Sequence, residues 1–197
     1  MLQLRLHCTN FKLVVLKYFV ICLLLFKGLV VNAQESLDLQ KDLPKILDKG
    51  WVYSPGLEGA WLTGKFDAAA MHPVDPLTEV TRIKQLNRDT PYTLLYRFEV
   101  KGKAETPMAL CIEQSGATRI FLDGKLLKEF GHFSADPAQA IALNPQNEPV
   151  ELPALDTGLH TLAVQFVFQK GLNLRPMVNT YFPFFSARIA GRPDANL

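Results

Sequence analysis

Short runs of alternating apolar and polar residues dominate the chain after residue 50, and no long segment there has a helical period. The clearest run extends from Tyr92 to Val100. Its apolar side consists of Leu94, Tyr96, Phe98 and Val100, and its other side of Thr93, Leu95, Arg97 and Glu99. A period of two is typical of a half-buried strand, so the pattern predicts an antiparallel β domain whose sheets each turn one face to the core.

Turn residues divide the rest of this region into further strands. The pattern predicts them at 108–113, 117–122, 125–130, 150–152, 159–168 and roughly 181–189. Ser115-Gly116 separates the first two of these strands. Asp123-Gly124 joins the next two as a hairpin, because a type I′ turn needs the positive φ angles that Asp and Gly tolerate.

The shared core is predicted from the apolar sides of these strands. Its members are Leu94, Tyr96, Phe98, Ile120, Leu162, Val164 and Phe166. In the last strand Pro183 indicates an edge or a bulge. Alternation there places Phe182 and Phe184 inward and Phe185 outward, where an exposed ring would indicate a contact surface.

Two segments depart from the strand pattern. Asp42 can cap a short N-terminal helix over 43–49, with Pro44 in its first turn and Gly50 after its end. Residues 131–149 are rich in Ser, Asp, Pro, Ala, Asn and Gln, which predicts a long loop of the kind that is usually functional or mobile. About eight short strands with long connections favour an all-β sandwich of jelly-roll type over a regular hairpin barrel.

The first 33 residues have the pattern of an export signal. Basic residues precede the apolar run 18–26, and Val31 and Ala33 are suited to a signal-peptidase site. The alternative is an N-terminal anchor, because neighbouring apolar residues bring the segment near the ~20 residues that span a membrane. Lysines on both sides of the run favour the cleaved signal. The sequence therefore predicts a signal peptide at 1–33 and one jelly-roll domain at 34–197.

Removal of this leader changes the charge and the cysteine count. The leader holds four of the 21 Lys and Arg residues and none of the 19 Asp and Glu, so the remainder carries 17 basic and 19 acidic side chains and a net charge of −2. No basic stripe with interleaved aromatics is left, and no nucleic-acid partner is predicted. Cys111 remains in an apolar run that predicts a buried side chain. One cysteine and three scattered histidines predict no metal site, and no cofactor is predicted.

Four segments together match a known pattern. They are Tyr92–Phe98 (YTLLYRF), Gly116–Leu127 (GATRIFLDGKLL), Phe130-Gly131 and His160–Phe166 (HTLAVQF). The combination resembles the galactose-binding-like jelly-roll domains at the extracytoplasmic N-terminus of bacterial seven-transmembrane receptors with diverse intracellular signalling modules and of related histidine kinases. The resemblance implies a sensor domain beside a membrane-embedded signalling module. The same hairpin also occurs in jelly-roll modules attached to glycoside hydrolases, where it is a feature of fold rather than function.

Catalytic motifs are not recognisable in the sequence. Gly-x-Ser-x-Gly, a complete phosphate loop and His-Glu-x-x-His are absent. Glu99 and Glu113 could still meet from distant strands as a carboxylate pair, because alternation allows both to share a face with Arg97. A solvated sheet face with cross-strand charge pairs is the favoured explanation of the same pattern.

The same polar face is the candidate ligand-binding site. Its candidate residues are Arg97, Glu113, Arg119, Phe121, His132 and Gln165. The charged and amide groups could form hydrogen bonds to a small polar or saccharide-like ligand, and Phe121 could pack against its ring. His132 opens the long loop. Trp51 and Trp61 could stack on a sugar but are explained at least as well as core residues.

These observations favour a non-catalytic ligand-binding sensor domain that is exported to the periplasm or to the outer face of the cytoplasmic membrane. Receptors of the type it resembles continue into transmembrane helices, whereas this sequence ends at Leu197. It is therefore expected to be the N-terminal part of a longer signalling protein or a free-standing exported relative. The alternatives are a carbohydrate-active enzyme or its accessory domain, and a structural interaction module.

Overall fold

The computed structural model describes residues 35–38, 41–57, 59, 61, 71–77, 87–102, 107–172 and 185–191. The leader and residues 181–184 of the predicted last strand, with Phe182, Pro183 and Phe184, lie outside these ranges. No helix long and apolar enough to span a membrane occurs among the described residues.

Eleven strands and no α-helix make up the secondary structure of the described ranges. The strands are β1 (Glu35–Asp38), β2 (Lys45–Ile46), β3 (Val52–Pro55), β4 (His72–Pro73), β5 (Tyr92–Lys101), β6 (Met108–Gln114), β7 (Ala117–Leu122), β8 (Lys125–Phe130), β9 (Val150–Glu151), β10 (Gly158–Val167) and β11 (Phe185–Gly191).

The strands form two sheets. The larger sheet has the order β4-β3-β5-β10-β7-β8, and β1 runs parallel to the second half of β5. The smaller sheet has the order β2-β11-β6-β9. The other pairs of neighbouring strands are antiparallel. This arrangement confirms the predicted antiparallel β-sandwich of jelly-roll type.

A large apolar core lies between the sheets in the described part of the chain. The seven predicted core residues are each at most 1% exposed: Leu94, Tyr96, Phe98, Ile120, Leu162, Val164 and Phe166. Side chains of β6 and β11, such as Ile112 and Ile189, meet them from the smaller sheet. Trp51 is also part of this core, with its ring centroid 5.2 Å from that of Tyr96 and its Nε1 donating to Leu47 O over 2.8 Å.

The predicted helix at 43–49 is wrong. This segment contains β2, which pairs with β11 at the edge of the smaller sheet. The Leu47 N–H donates to Ala187 O over 2.9 Å, and the Leu47 side chain is buried. A seven-residue helix is marginal without tertiary support, so burial of Leu47 and pairing with the sheet determine the conformation.

The predicted outward position of Phe185 is also wrong. β11 begins at this residue, and Phe185 shares the inward face with Ala187 and Ile189. Its side chain is fully buried, and its ring centroid lies 5.4 Å from that of Trp51. The phase of β11 therefore follows Ala187 and Ile189, the apolar residues after Phe185.

Both predicted chain breaks are present. Asp123 and Gly124 have φ angles of 49° and 79°, as the two-residue turn between β7 and β8 requires. Ser115-Gly116 lies between β6 and β7, which belong to different sheets, so this short segment carries the chain across the sandwich.

Candidate functional site

The outward face of the larger sheet carries most of the predicted ligand-binding residues. Four of them alternate with core residues on β5, β7 and β10 and therefore lie on this face: Arg97, Arg119, Phe121 and Gln165. The pairing between strands determines which residues lie side by side across the sheet: Arg97 lies opposite Thr161, and Gln165 lies opposite Arg119.

Trp61 covers the centre of this face. It packs on Leu95 and Ala163 with Phe121 at its side, and the ring centroids of Trp61 and Phe121 are 4.9 Å apart in an edge-on arrangement. Leu95 and Ala163 lie in the row between Arg97 and Gln165. The structure therefore separates Arg97 from Gln165 and divides the predicted continuous polar groove into two parts.

Arg119 is the centre of the better-developed part. Its Nε donates to Glu129 Oε2 over 2.7 Å, and its guanidinium carbon lies 4.7 Å from the centroid of the Phe133 ring. Glu129 Oε1 also accepts from the Phe133 N–H over 3.3 Å. The hydrogen bond from Arg119 is the main cause that lowers the pKa of Glu129, and the nearby His132 contributes to the lowering. Glu129 is therefore a fixed, ionised acceptor at neutral pH.

Several polar groups in this part have unused hydrogen-bonding capacity. Among the described residues, neither the Gln165 amide nor the two Nη groups of Arg119 has a hydrogen-bond partner. The indole Nε1 of Trp61 is buried and likewise has no partner in the described part of the chain. Buried or half-buried polar groups normally find partners, so these groups have hydrogen-bonding capacity that hydroxyl or carbonyl groups could use.

The long loop forms one border of this region. Phe133 and Ala140 of the loop are buried against Ala117 and Val167 on the sheet face. Backbone hydrogen bonds in both directions between His132 and Ile141, 2.9 and 3.0 Å long, close the base of the loop. His132 itself is exposed at the rim, near Glu129. The predicted loop is thus a structured wall of the site.

Glu113 is not part of this site. It lies on β6, in the smaller sheet, where its neighbours Leu110 and Ile112 point into the core. Its Oε1 accepts from Asn147 Nδ2 over 2.8 Å. Because the outward faces of the two sheets are on opposite sides of the sandwich, Glu113 is separated from Arg97, Arg119 and Gln165, and the predicted shared face is wrong for this residue.

Glu129 and Phe133 also contribute to this candidate site, although the sequence pattern did not indicate them. A regular two-residue hairpin would set Arg119 opposite Lys128. However, β8 contains a bulge, and the register of its pairing with β7 shifts between Ile120 and Phe121 of β7. The shift brings Glu129 opposite Arg119. The opposite charges of Arg119 and Glu129 are the sequence signal that could have indicated this register.

The described residues contain no group of three or more metal-ligating side chains. The three histidines after the leader serve in separate places: His72 lies beside Tyr53, His132 lies at the loop rim, and His160 binds Asp123. Cys111 is fully buried on β6, as predicted.

Comparison with protein-family models and with curated proteins gives no match. Among solved structures, the chain is similar to a β-glucosidase from Kluyveromyces marxianus, with 11% identity over 75% of this chain and 18% of that chain and a TM-score of 0.42. It is also similar to a GH2 β-galacturonidase from Eisenbergiella tayi (15% identity, 74% and 24% covered, TM-score 0.41). A β-glycosidase from Bacteroides vulgatus gives 13% identity, 75% and 20% covered, and a TM-score of 0.43. The chain spans about a fifth of the length of these glycosidases.

Proposed function

We propose that this β-sandwich is a non-catalytic binding domain that takes a small polar or saccharide-like ligand on the outward face of its larger sheet. The observation that carries the proposal is the set of unpartnered polar groups around Gln165 and Arg119, next to the half-buried ring of Phe121. Together they offer hydrogen bonds and an apolar surface within one small region.

The chemistry of the groups suits a polyhydroxyl compound. A sugar hydroxyl both donates and accepts hydrogen bonds, and the Gln165 amide can complement it in both directions. Arg119 adds donors through its Nη groups, while Glu129 is a charged acceptor whose bonds are stronger than those of neutral groups. Phe121 can pack against the apolar face of a ring.

Opposite charges keep the site close to neutral. Arg119 and Glu129 form an ion pair at 2.7 Å, so neither sign of charge dominates the site. The free-energy cost of desolvating a strongly charged molecule would not be offset, because the site has no net opposite charge. A neutral sugar is therefore the better ligand.

The positions of the carboxylates argue against glycoside hydrolysis by the pair considered in the sequence. Catalytic carboxylates flank one bond at about 5–9.5 Å from each other. Glu99 lies on the outward face of the larger sheet and Glu113 on the outward face of the smaller one. The two cannot act on one bond with the whole sandwich between them.

Binding of this kind would serve either of two settings. In a receptor, the exported domain would sense its ligand and change the arrangement of a membrane-embedded signalling module, which requires different affinities in the two arrangements. In a carbohydrate-active protein, it would be an accessory domain that holds the saccharide. The proposal concerns the binding step that both settings share, with the domain outside the cytoplasmic membrane.

The test is calorimetric titration of the whole protein with glucose, galactose, mannose and xylose and with their linear di- to hexasaccharides. At least one of these should bind, and Gln165→Ala should weaken it roughly 3- to 10-fold, because one or two net hydrogen bonds are lost. Gln139→Ala is the matched control, since Gln139 is an exposed glutamine of the long loop. It should leave the affinity unchanged.

Three results would contradict the proposal. The first is the absence of binding across the whole panel. The second is equal weakening by Gln165→Ala and Gln139→Ala, which would place the ligand elsewhere. The third is release of reducing sugar from a bound oligosaccharide, which would make the domain an enzyme.

A further inference from the structure

The site around Gln165 has walls on both sides, and their positions follow from the sheet register. Ala163 and Val167 lie on the same face of β10, two residues before and two residues after Gln165. Trp61 forms an apolar cluster with Leu95 and Ala163, and Phe133 of the long loop forms another with Ala117, Ala140 and Val167. The Cα atoms of Ala163 and Val167, where the two walls begin, are about 13 Å apart, given a rise of about 3.3 Å per residue. The result is a groove that crosses the strands with Gln165 on its floor.

One end of this groove is closed. Beyond Gln165, the next residue across the sheet is Thr93 on β5, which is only 1% exposed. Its Oγ1 donates to Gly56 O over 2.9 Å, so the chain after β3 lies directly on it. Leu57 then packs against the cluster that contains Phe133 and Val167. The segment Gly56–Leu57 therefore blocks the floor on the β5 side.

The opposite end leads toward the edge of the sheet. Arg119 follows Gln165 across the sheet and Glu129 follows Arg119 on the edge strand β8. The side chains of Arg119 and Glu129 are 42% and 34% exposed, in contrast to Thr93. Solvent thus reaches the groove along this side.

We infer that the groove receives the terminal sugar unit of a saccharide, inserted from the β8 side until it meets Gly56–Leu57, and that it excludes internal units of a chain. An internal unit needs an exit at both ends of its groove, and here one end is blocked by backbone and by a packed leucine. This inference rests on the proposed function and specifies which part of a saccharide that site recognises.

The experiment measures the affinity of each oligosaccharide of the glucose, galactose, mannose and xylose series that binds, and compares it with the affinities of two longer copies of that oligosaccharide. One copy carries at its reducing end, and the other at its non-reducing end, an additional sugar of a different kind that does not bind on its own. One of the two copies should bind at least tenfold more weakly than the parent, because its added sugar meets the blocked end. The other should bind as the parent does.

A variant tests the block itself. Leu57→Ala shortens the closing side chain and should recover at least part of the affinity for the disfavoured copy. Leu159→Ala is the control, because this leucine is 51% exposed at the far end of the same sheet face. Thermal unfolding of both variants verifies that they are folded.

The outcomes separate the two proposals. If both extended copies bind as well as the parent, the terminal-unit inference is overturned while saccharide binding stands. If nothing in the panel binds, the proposed function fails and the inference fails with it. If one copy is disfavoured but Leu57→Ala does not recover it, the block is not at Gly56–Leu57 and the inference is overturned in its geometric part.

Discussion

Arg119 has two roles that depend on different atoms of one side chain. Its Nε binds Glu129 and its guanidinium lies over Phe133, so the side chain links the edge strand to the long loop. In the proposed binding site, its Nη groups are the ones that would donate to a ligand. Replacing Arg119 would therefore disturb the wall as well as the floor of the groove, and Gln165 is the cleaner residue for testing binding.

His160 is the residue through which pH should act on stability. Its Nδ1 lies 2.7 Å from Asp123 Oδ2 and its Nε2 lies 2.8 Å from Asp156 O. Both partners accept, so only the doubly protonated ring donates to both. Burial opposes this charge, but the bonds to Asp156 and Asp123 prevail and raise the pKa of His160 above its ordinary value.

The sign of the pH effect follows from that shift. A raised folded-state pKa gives stabilisation that is complete below about pH 6.5 and is lost as the pH rises through the folded-state pKa. His160→Gln should therefore lower the melting temperature more at pH 5.5 than at pH 8.5, by about 2–4 °C, since the Asp123 side chain is 45% exposed and screened by solvent. A difference that stays constant or grows with pH would contradict the assignment.

At the scale of strands, alternation predicted which side of β5, β7 and β10 faces the core, but not the phase of β11 or the sheet that each strand joins. On β7, Ile120 was correctly identified as a core residue. Alternation is a local property, however, and sheet membership depends on long-range pairing. Glu113 was assigned to the face of Arg97 for this reason, although β6 belongs to the other sheet.

The site was predictable in its residue types and not in its geometry. Arg119 and Gln165 were correctly predicted to share a sheet face, because polar residues that alternate with apolar ones are evident from the sequence. The bulge in β8 and the position of Trp61 over Ala163 depend on tertiary packing. These two features place Glu129 in the site and separate Arg97 from it.

The connection between β6 and β7 offers a sharp test of the packing between sheets. A Cβ at Gly116 would lie 2.4 Å from Phe166 Cζ and 2.5 Å from Val167 O. Gly116→Ala should therefore destabilise the protein by about 1–3 kcal/mol, the usual cost of overpacking, as measured by urea unfolding.

A double-mutant cycle identifies which contact is responsible. Phe166→Leu removes the aromatic ring from the overlap but leaves the backbone oxygen of Val167 in place. Gly116→Ala should therefore remain destabilising in the Phe166→Leu background. If it costs nothing there, the ring alone makes the contact and the close approach to the Val167 backbone is wrong.

For the molecule as a whole, the predicted signal-peptidase site lies just before the first strand. β1 begins at Glu35 and pairs with β5, and Leu37 of β1 is 2% exposed in the core. Signal-peptidase cleavage after Ala33 would leave this strand whole. Cleavage a few residues later would remove part of β1 and expose core surface that Leu37 covers.

We therefore expect the exported protein to begin at Gln34. Mass spectrometry of the protein recovered from a periplasmic fraction should give the mass of residues 34–197, because Val31 and Ala33 provide the small residues that the peptidase needs. Ala33→Leu should block this processing while leaving β1 unchanged, and it serves as the control for the cleavage position. Recovery of the wild-type chain with Met1 intact and membrane-bound would show instead that the leader is an anchor.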